Sequence, residues 1–333
     1  MSGRNSPSSK RPVISVCVIC FNQERYIADC IEGILAQNLD ANVEILIGDD
    51  ASTDRTSAII EGYAERDRRI VHICRPENLG FVANQRDLSS RARGEFVALC
   101  EGDDFWLDPD KLERQLALMN ADPAITLCFT AGVKVSSTGD RQLGRIEVGG
   151  PSRELSLREI ILEINGTVPT SSMLMRRSAL MNLPDRTYDQ SPIDYAMQVL
   201  VGAQGRIWYD SSVTTAYRIA EGSWSEGVAN DPDKYLQHYQ GLRGYRQFLE
   251  EQLPAECAPD LRRAFEPLVL GFYMSSRARP ADKLRNLPKD MPFLSRRGRM
   301  IATILTRVPA LAHVGAFARR RIWGPFLRPL FGR

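Results

Sequence analysis

The chain has 333 residues, 43% hydrophobic and 25% charged, with 43 basic side chains against 41 acidic ones for a net charge of +2. That balance excludes an intrinsically disordered chain and leaves room for one large domain with additions or for two domains. The charge is unevenly spread: beyond Asp290 no acidic residue follows, while arginines run from Arg296 to Arg333. An anionic surface is the partner expected for that tail.

In chain order, residues 1–12 form a polar tail without the apolar run of a secretory signal, and are expected to be disordered. Val13–Cys20 is a β-branched apolar run, as in a strand covered on both faces. Glu24–Gln37 places Tyr26, Ile27, Cys30, Ile31, Ile34 and Leu35 at helical spacing. Val43–Gly48 predicts a second strand, and Asp49-Asp50-Ala51-Ser52-Thr53-Asp54 a loop whose last residue caps the next helix. Ile70–Cys74, Phe81–Ala92 and Glu95–Cys100 repeat the alternation, and Asp110–Ala121 and Ala124–Thr130 add a helix and a strand. Strands and helices alternating over short connections predict an α/β fold with a doubly wound, mostly parallel sheet.

Past Gly132 the pattern loosens. Gly139–Ser152 reads as a mobile loop, Ser156–Asn165 and Pro192–Ala203 as helices, and Ser171–Met175, Arg206–Tyr209 and Thr214–Tyr217 as strands. Asp233–Glu251 and Asp260–Ser276 carry bulky apolar residues at helical spacing and predict a helical appendage. In the tail, Ile301, Ile304, Leu305, Val308, Leu311 and Ala312 line one stripe, followed by Arg319–Arg321, Trp323 and Phe326. Basic residues beside aromatic ones suit an anionic membrane face; a helix docked on its own domain is the other reading.

Seven cysteines, mostly in apolar runs (Cys17, Cys20, Cys74, Cys100, Cys128), predict buried thiols in a reducing cytoplasm. Cys17 and Cys20, three apart on a strand, point to opposite faces and share neither zinc nor a disulfide. The three histidines include no pair at metal-ligand spacing.

Ligands of a doubly wound sheet bind beyond the carboxyl ends of its strands. Three polar groups fall there: Phe21-Asn22-Gln23-Glu24, Asp49-Asp50 and Glu101-Gly102-Asp103-Asp104. Carboxylates on strand ends suit Mg²⁺ or Mn²⁺ bridging a diphosphate, and neither a G-x-G-x-x-G nor a P-loop motif offers another phosphate cradle. Each Asp pair alone also fits an ordinary acidic turn.

The run Ile14–Asn22, the segment Ile47-Gly48-Asp49-Asp50-Ala51-Ser52-Thr53-Asp54, the stretch Glu77-Asn78-Leu79-Gly80 with Asn84, and Glu101-Gly102-Asp103-Asp104-Phe105-Trp106 resemble, in order, the motifs of the family 2 glycosyltransferases. The resemblance covers about the first 130 residues and implies a GT-A fold and an inverting, metal-dependent transfer from a nucleotide sugar, expected to be a UDP-sugar, onto a saccharide or polyprenyl-linked acceptor in polysaccharide synthesis. It implies that Phe21 packs on the donor base with Asn22 beside it, that Asp50 accepts a hydrogen bond from the base, that Asp103 binds the ribose or the metal shell, and that Asp104 ligates the metal. Glu101 stands where many relatives have Asp. The general base is expected at Asp194, with Asp189 in reserve; a first-turn acid favoured by the helix dipole is the plainer role for Asp194. Arg218 is expected to support the diphosphate, and Trp224 to stack on a sugar ring of the acceptor or to pack.

The domain reading is 1–12 tail, 13–131 nucleotide-sugar half, 132–230 acceptor half, 231–290 helical appendage and 291–333 basic amphipathic tail, which would hold the enzyme on the inner face of the plasma membrane. Two rivals stand beside the transferase. A sugar nucleotidyltransferase would need a Gly-rich basic loop where Phe21–Tyr26 stands, and a non-catalytic nucleotide-binding scaffold would be excluded by donor hydrolysis or transfer lost in both Asp104→Ala and Asp194→Asn. Nucleic-acid binding is not expected, since no binding fold accompanies the basic run.

Overall fold

The computed structural model describes residues 13–162, 166–219, 231–274 and 279–307. It opens with β1 (Ile14–Cys20), α1 (Ile27–Leu35), β2 (Val43–Asp49), α2 (Thr56–Ala64), β3 (Ile70–Cys74), α3 (Phe81–Arg91) and β4 (Phe96–Glu101). β1 runs parallel between β2 and β4 and is buried along its whole length, as its nearly continuous apolar sequence, interrupted only by Ser15, requires. α1 buries Ile27, Cys30, Ile31 and Ile34, one stripe at i, i+3, i+4 and i+7. Each fully buried isoleucine contributes about 1.5–3 kcal/mol of transfer free energy.

β5 (Phe105–Trp106), α4 (Lys111–Ala121), β6 (Ile125–Val135), β7 (Gln142–Ile146), β8 (Arg153–Leu155) and α5 (Leu157–Leu162) follow. β9 (Leu174–Arg176), α6 (Arg177–Met181), α7 (Ile193–Gly202) and β10 (Arg206–Arg218) complete the region. One sheet takes the order β3-β2-β1-β4-β9-β6-β10-β5, with β7 on β6 and β8 on β10. Its first four strands are parallel, and β9 enters antiparallel between β4 and β6.

Three expectations are corrected here. The two short strands read at 206–217 are one strand, β10, whose register on β6 shifts between Asp210 and Val213; that bulge carries the polar interruption. The expected loop at 139–152 contains β7, paired antiparallel with β6. The boundary at 131/132 falls inside β6, whose pairing with β10 continues across it, so the chain does not divide there.

The compact units are instead Met1–Ser156 with Gly166–Asp189 and Met197–Ala220, and Leu157–Asn165 with Gln190–Ala196 and Glu221–Arg333. The first holds the whole sheet. Where its strands begin, far from their carboxyl ends, Glu44 is buried and fully answered. It accepts from Ser15 Oγ at 2.6 Å and from the backbone and guanidinium of Arg93, and these bonds hold its carboxyl below the usual range against the cost of burial.

The second unit contains α5, α8 (Pro232–Gln252), α9 (Ala258–Met274), α10 (Pro280–Asp290) and α11 (Arg296–Arg307). Its core is aromatic: Tyr195, Tyr245 and Phe265 meet edge to face, and Tyr239 stacks on Phe272 with ring centroids 3.7 Å apart. Buried Asp290 accepts from the hydroxyls of Tyr239 and Tyr273.

α11 overturns part of the tail reading. Ile301 and Leu305, expected to face a membrane, are buried, and Gly298 lies so near Glu266 that a Cβ there would stand 2.2 Å from Oε1. Glu266 also accepts from Ser295 N and Oγ, pinning the start of α11 against α9. The described part of the stripe is thus spent within its own unit, and the remainder, 308–333, lies outside the described residues. Among the described residues no helix is long and apolar enough to cross a membrane.

Candidate active site

The tips of β2, β1 and β4 are neighbours, with Cys20 beside Asp49 and Ile19 beside Glu101. Phe21, Asp50 and Asp103 therefore follow three adjacent strands at one edge.

The loops after β1 and β2 are stitched together. Asn22 N donates to Ser52 Oγ at 2.9 Å, and Thr53 N returns a bond to Asn22 Oδ1 at 2.8 Å. Gln23 N reaches Thr56 Oγ1 at 2.7 Å, Glu24 N reaches Asp54 Oδ2 at 3.0 Å, and Arg55 N closes on Glu24 Oε2 at 2.9 Å. Asn22 and Ala51 both take positive φ, 52° and 63°, a strained choice for non-glycine residues that the stitching imposes. Beside them Phe21 stands 45% exposed, an open aromatic surface.

Asp50 is buried, and its two oxygens accept from Leu79 N and Gly80 N, each at 2.8 Å. Its carboxylate thus holds the loop that opens α3. Asn84 reinforces the same corner by donating to Gly48 O at 2.8 Å, where a Cβ on residue 48 would stand 2.4 Å from the Asn84 amide.

At the β4 end, Gly102 is the residue that lets the turn close: a Cβ there would lie 2.3 Å from Gln23 Oε1 and 2.8 Å from Cys20 Cβ. Gln23 in turn hydrogen-bonds the Asp103 carboxylate. Asp103 is half-buried, and burial pushes its carboxyl up although Arg218 opposes the rise. Asp104 is 2% exposed; Oδ1 accepts from Arg218 N at 3.0 Å, and the rest of the carboxyl lies inside beside Ser171 and Glu101. Burial and then the charge of Asp103 push it up to about 8. Of the two carboxylates, Asp103 is the more exposed, and Asp104 lies behind it against the backbone of Arg218.

Arg218 is 3% exposed, and its guanidinium is spent on Asp103 O at 2.8 Å, Ser137 O at 3.0 Å and Asp29 Oδ2 at 2.7 Å, between the rings of Tyr26 and Phe105. Three of its five N–H donors are engaged in this way, and the side chain is buried within the turn. It clasps the acidic turn to α1 and to the end of β10. Gln23, one of the polar residues at the β1 tip, and Asp29, in the first turn of α1, complete this clasp; in the sequence their only signal is position.

Six expected residues, Phe21, Asn22, Asp50, Asp103, Asp104 and Arg218, are therefore collected in the first unit. Asp189 ends a short 3₁₀ turn (Asp185–Asp189) and is exposed. Asp194 lies in the first turn of α7, half-buried, and belongs to the second unit. There its charge helps push the buried Tyr245 hydroxyl well up, after the larger effect of burial. Trp224 lies outside the described residues.

Hard oxygen donors are the donor set of Mg²⁺ or Mn²⁺. Neighbouring carboxyls driven up by burial are the electrostatic state that such an ion relieves, so Asp103 and its surroundings fit a divalent cation.

Residues 15–183 match the sequence family described as glycosyl transferase family 2. A Mycobacterium tuberculosis relative, uncharacterized protein Rv1520, is 35% identical over 213 residues, covering 63% of this chain and 60% of that protein. The chain thus spans under two thirds of the length of that curated relative. Among solved structures, S. aureus TarS 1-349 in complex with UDP superposes with a TM-score of 0.59 at 18% identity, over 90% of this chain and 82% of that one. The Pyrobaculum calidifontis mannosyltransferase PcManGT in complex with GDP-Man and Mn²⁺ gives 0.55 at 17% identity, over 95% and 88%. At such identities the likeness is one of fold.

Proposed function

The chain belongs to glycosyl transferase family 2, and we propose that it moves a sugar from a nucleotide-sugar donor, in the first instance a UDP-sugar, to a saccharide or polyprenyl-linked acceptor in polysaccharide synthesis, with inversion and with Mg²⁺ or Mn²⁺. The observation that carries the reading is the joined edge: an open aromatic at the β1 tip and, at the β4 tip of the neighbouring strand, a half-buried carboxylate that burial pushes up. The complexes of TarS with UDP and of PcManGT with GDP-Man and Mn²⁺ support it by analogy of fold.

In this reading Phe21 packs on the base, and the stitched loops of Asn22 and Asp50 fix the edge on which the base lies. Asp103 holds the metal, with Asp104 and Arg218 setting the angle of its turn. A divalent ion held there would supply positive charge to the departing nucleoside diphosphate. Asp194 takes the proton of the acceptor hydroxyl while that oxygen bonds to the anomeric carbon and the bond from that carbon to the diphosphate breaks. Attack from the face opposite the leaving group inverts the configuration. Peripheral attachment to an anionic membrane inner face is a proposal too, resting on the arginines after Arg307 and their aromatic neighbours.

The test is a panel of UDP- and GDP-sugars assayed for Mn²⁺-dependent donor hydrolysis and transfer, with the anomeric configuration of any product read by NMR. Hydrolysis of one donor class that chelation abolishes, with an inverted product, is expected. Retention of configuration, or turnover indifferent to chelation, overturns the mechanism.

A further inference from the structure

We propose that the outer edge of the sheet carries a separate site for a soft divalent cation of the zinc class, formed by Asp49, His72 and Cys74. The parallel register sets Cys74 beside Asp49 and His72 beside Ile47, so the three side chains emerge on one face of neighbouring strands. Their ligand atoms all lie within 4.8 Å of one another.

Two further observations point to an ion. Asp49 is 0% exposed; its Oδ1 accepts from Ser52 N at 3.0 Å, while Oδ2 is buried with no hydrogen-bond partner among the described residues. Leaving half of a carboxylate unanswered in the interior is costly, and a cation is the group that answers it. The histidine is also set up as a ligand. Its side chain is 9% exposed, and Nδ1 lies 3.0 Å from Glu61 Oε2 on α2. A carboxylate can only accept, so Nδ1 carries the hydrogen and Nε2 presents its lone pair, the arrangement in which an outer carboxylate orients a metal-bound imidazole.

Ser57, one helical turn before Glu61, marks where an ion would sit: its Oγ lies 3.5 Å from His72 Nε2 and 3.8 Å from Cys74 Sγ. With three protein ligands, Ser57 or a water completes a tetrahedron. The donor set decides the metal. Sulfur and imidazole beside one carboxylate select zinc over Mg²⁺ or Mn²⁺, the reverse of the all-oxygen cluster around Asp103. Binding requires the Cys74 thiol to release its proton to solvent. An ion there would stiffen the start of the Asp49–Asp54 loop.

The experiment uses the full chain, stripped of metal and titrated with Co²⁺ in excess Mg²⁺. One Co²⁺ per chain with a thiolate-to-cobalt charge-transfer band in the near ultraviolet, displaced by one equivalent of Zn²⁺, is expected. Cys74→Ser should remove the band and weaken Zn²⁺ binding at least 100-fold, and Glu61→Gln, outside the ligand set, should weaken it 10- to 100-fold. Asp103→Asn should leave cobalt and zinc binding unchanged, which keeps this site distinct from the transferase reading. Absence of the band in the native chain, or its persistence in Cys74→Ser, overturns the proposal. Cys74 and Glu61 are exposed, and circular dichroism confirms that each of the three variants is folded.

Discussion

Asp50 and Asp103 follow β2 and β4, the two strands that flank β1, carry the same carboxyl group, and are used in opposite ways. Asp50 gives both oxygens to backbone N–H groups of its own protein, so its charge is consumed in holding a loop. Asp103 and Asp104 crowd together in a turn where burial drives both carboxyls up. The contrast teaches that an acidic motif does not bind a cation by being acidic. It does so where the fold crowds carboxylates together and keeps one of them reachable.

The comparison can be broken at four places. The largest effect is expected at Arg218, the one strong cation of the acidic turn: Arg218→Met should cost about 3 kcal/mol or more of stability in urea unfolding, because several acceptors lose a buried partner at once. Next is Asp103→Asn, expected to lower metal-dependent turnover about 10²–10³-fold, or roughly 3–4 kcal/mol of barrier, while the melting temperature holds or rises as crowding of charge is relieved. Asp50→Asn should do the reverse, costing about 1–3 kcal/mol of stability through the Leu79–Gly80 loop, with turnover falling only as far as that loop loosens.

The smallest effect at neutral pH is expected at Lys111. It is buried, bonded to Gln115 Oε1 at 3.0 Å and set 4.1 Å from the centre of the Trp106 ring, and burial depresses its ammonium to about 7. Between pH 7 and 10 the folded lysine has lost its proton while the unfolded one keeps it, so the unfolded state binds more protons and stability rises with pH. The native protein should therefore gain on the order of 1–3 kcal/mol between pH 7 and 9.5. Lys111→Met should erase that rise and change stability by less than about 1 kcal/mol at pH 7. Denaturant melts at the two pH values read both.

The strands, their order along the chain and the acidic strand ends were legible because they depend on local pattern: β1 is apolar but for Ser15, and α1 repeats its stripe every three to four residues. Which carboxylate faces outward was not, since Asp103 and Asp104 are neighbours in sequence and only the Gly102 turn separates their environments. Arg218 reads like a phosphate-binding arginine until Asp29, 189 residues earlier, is found against it. Cys74 was expected in a core, yet β3 ends the sheet and its tip is exposed. His72 had no histidine partner in the sequence, and the spacing that matters, His-x-Cys on an edge strand beside an Asp, becomes visible only with the register. The exchange of residues 157–165 and 190–196 into the second unit leaves no mark in composition.

The docking of α11 bears on how any shortened form of this protein should be handled. Cutting after Asp290 would strip α9 of the helix that covers it and leave Glu266 without Ser295. The raw apolar strip so uncovered is sticky in its own right. Such a fragment would cling to lipid, plastic or its own copies regardless of the arginines removed, so sedimentation with vesicles is better judged with the arginines beyond residue 307 neutralised and the helix left in place.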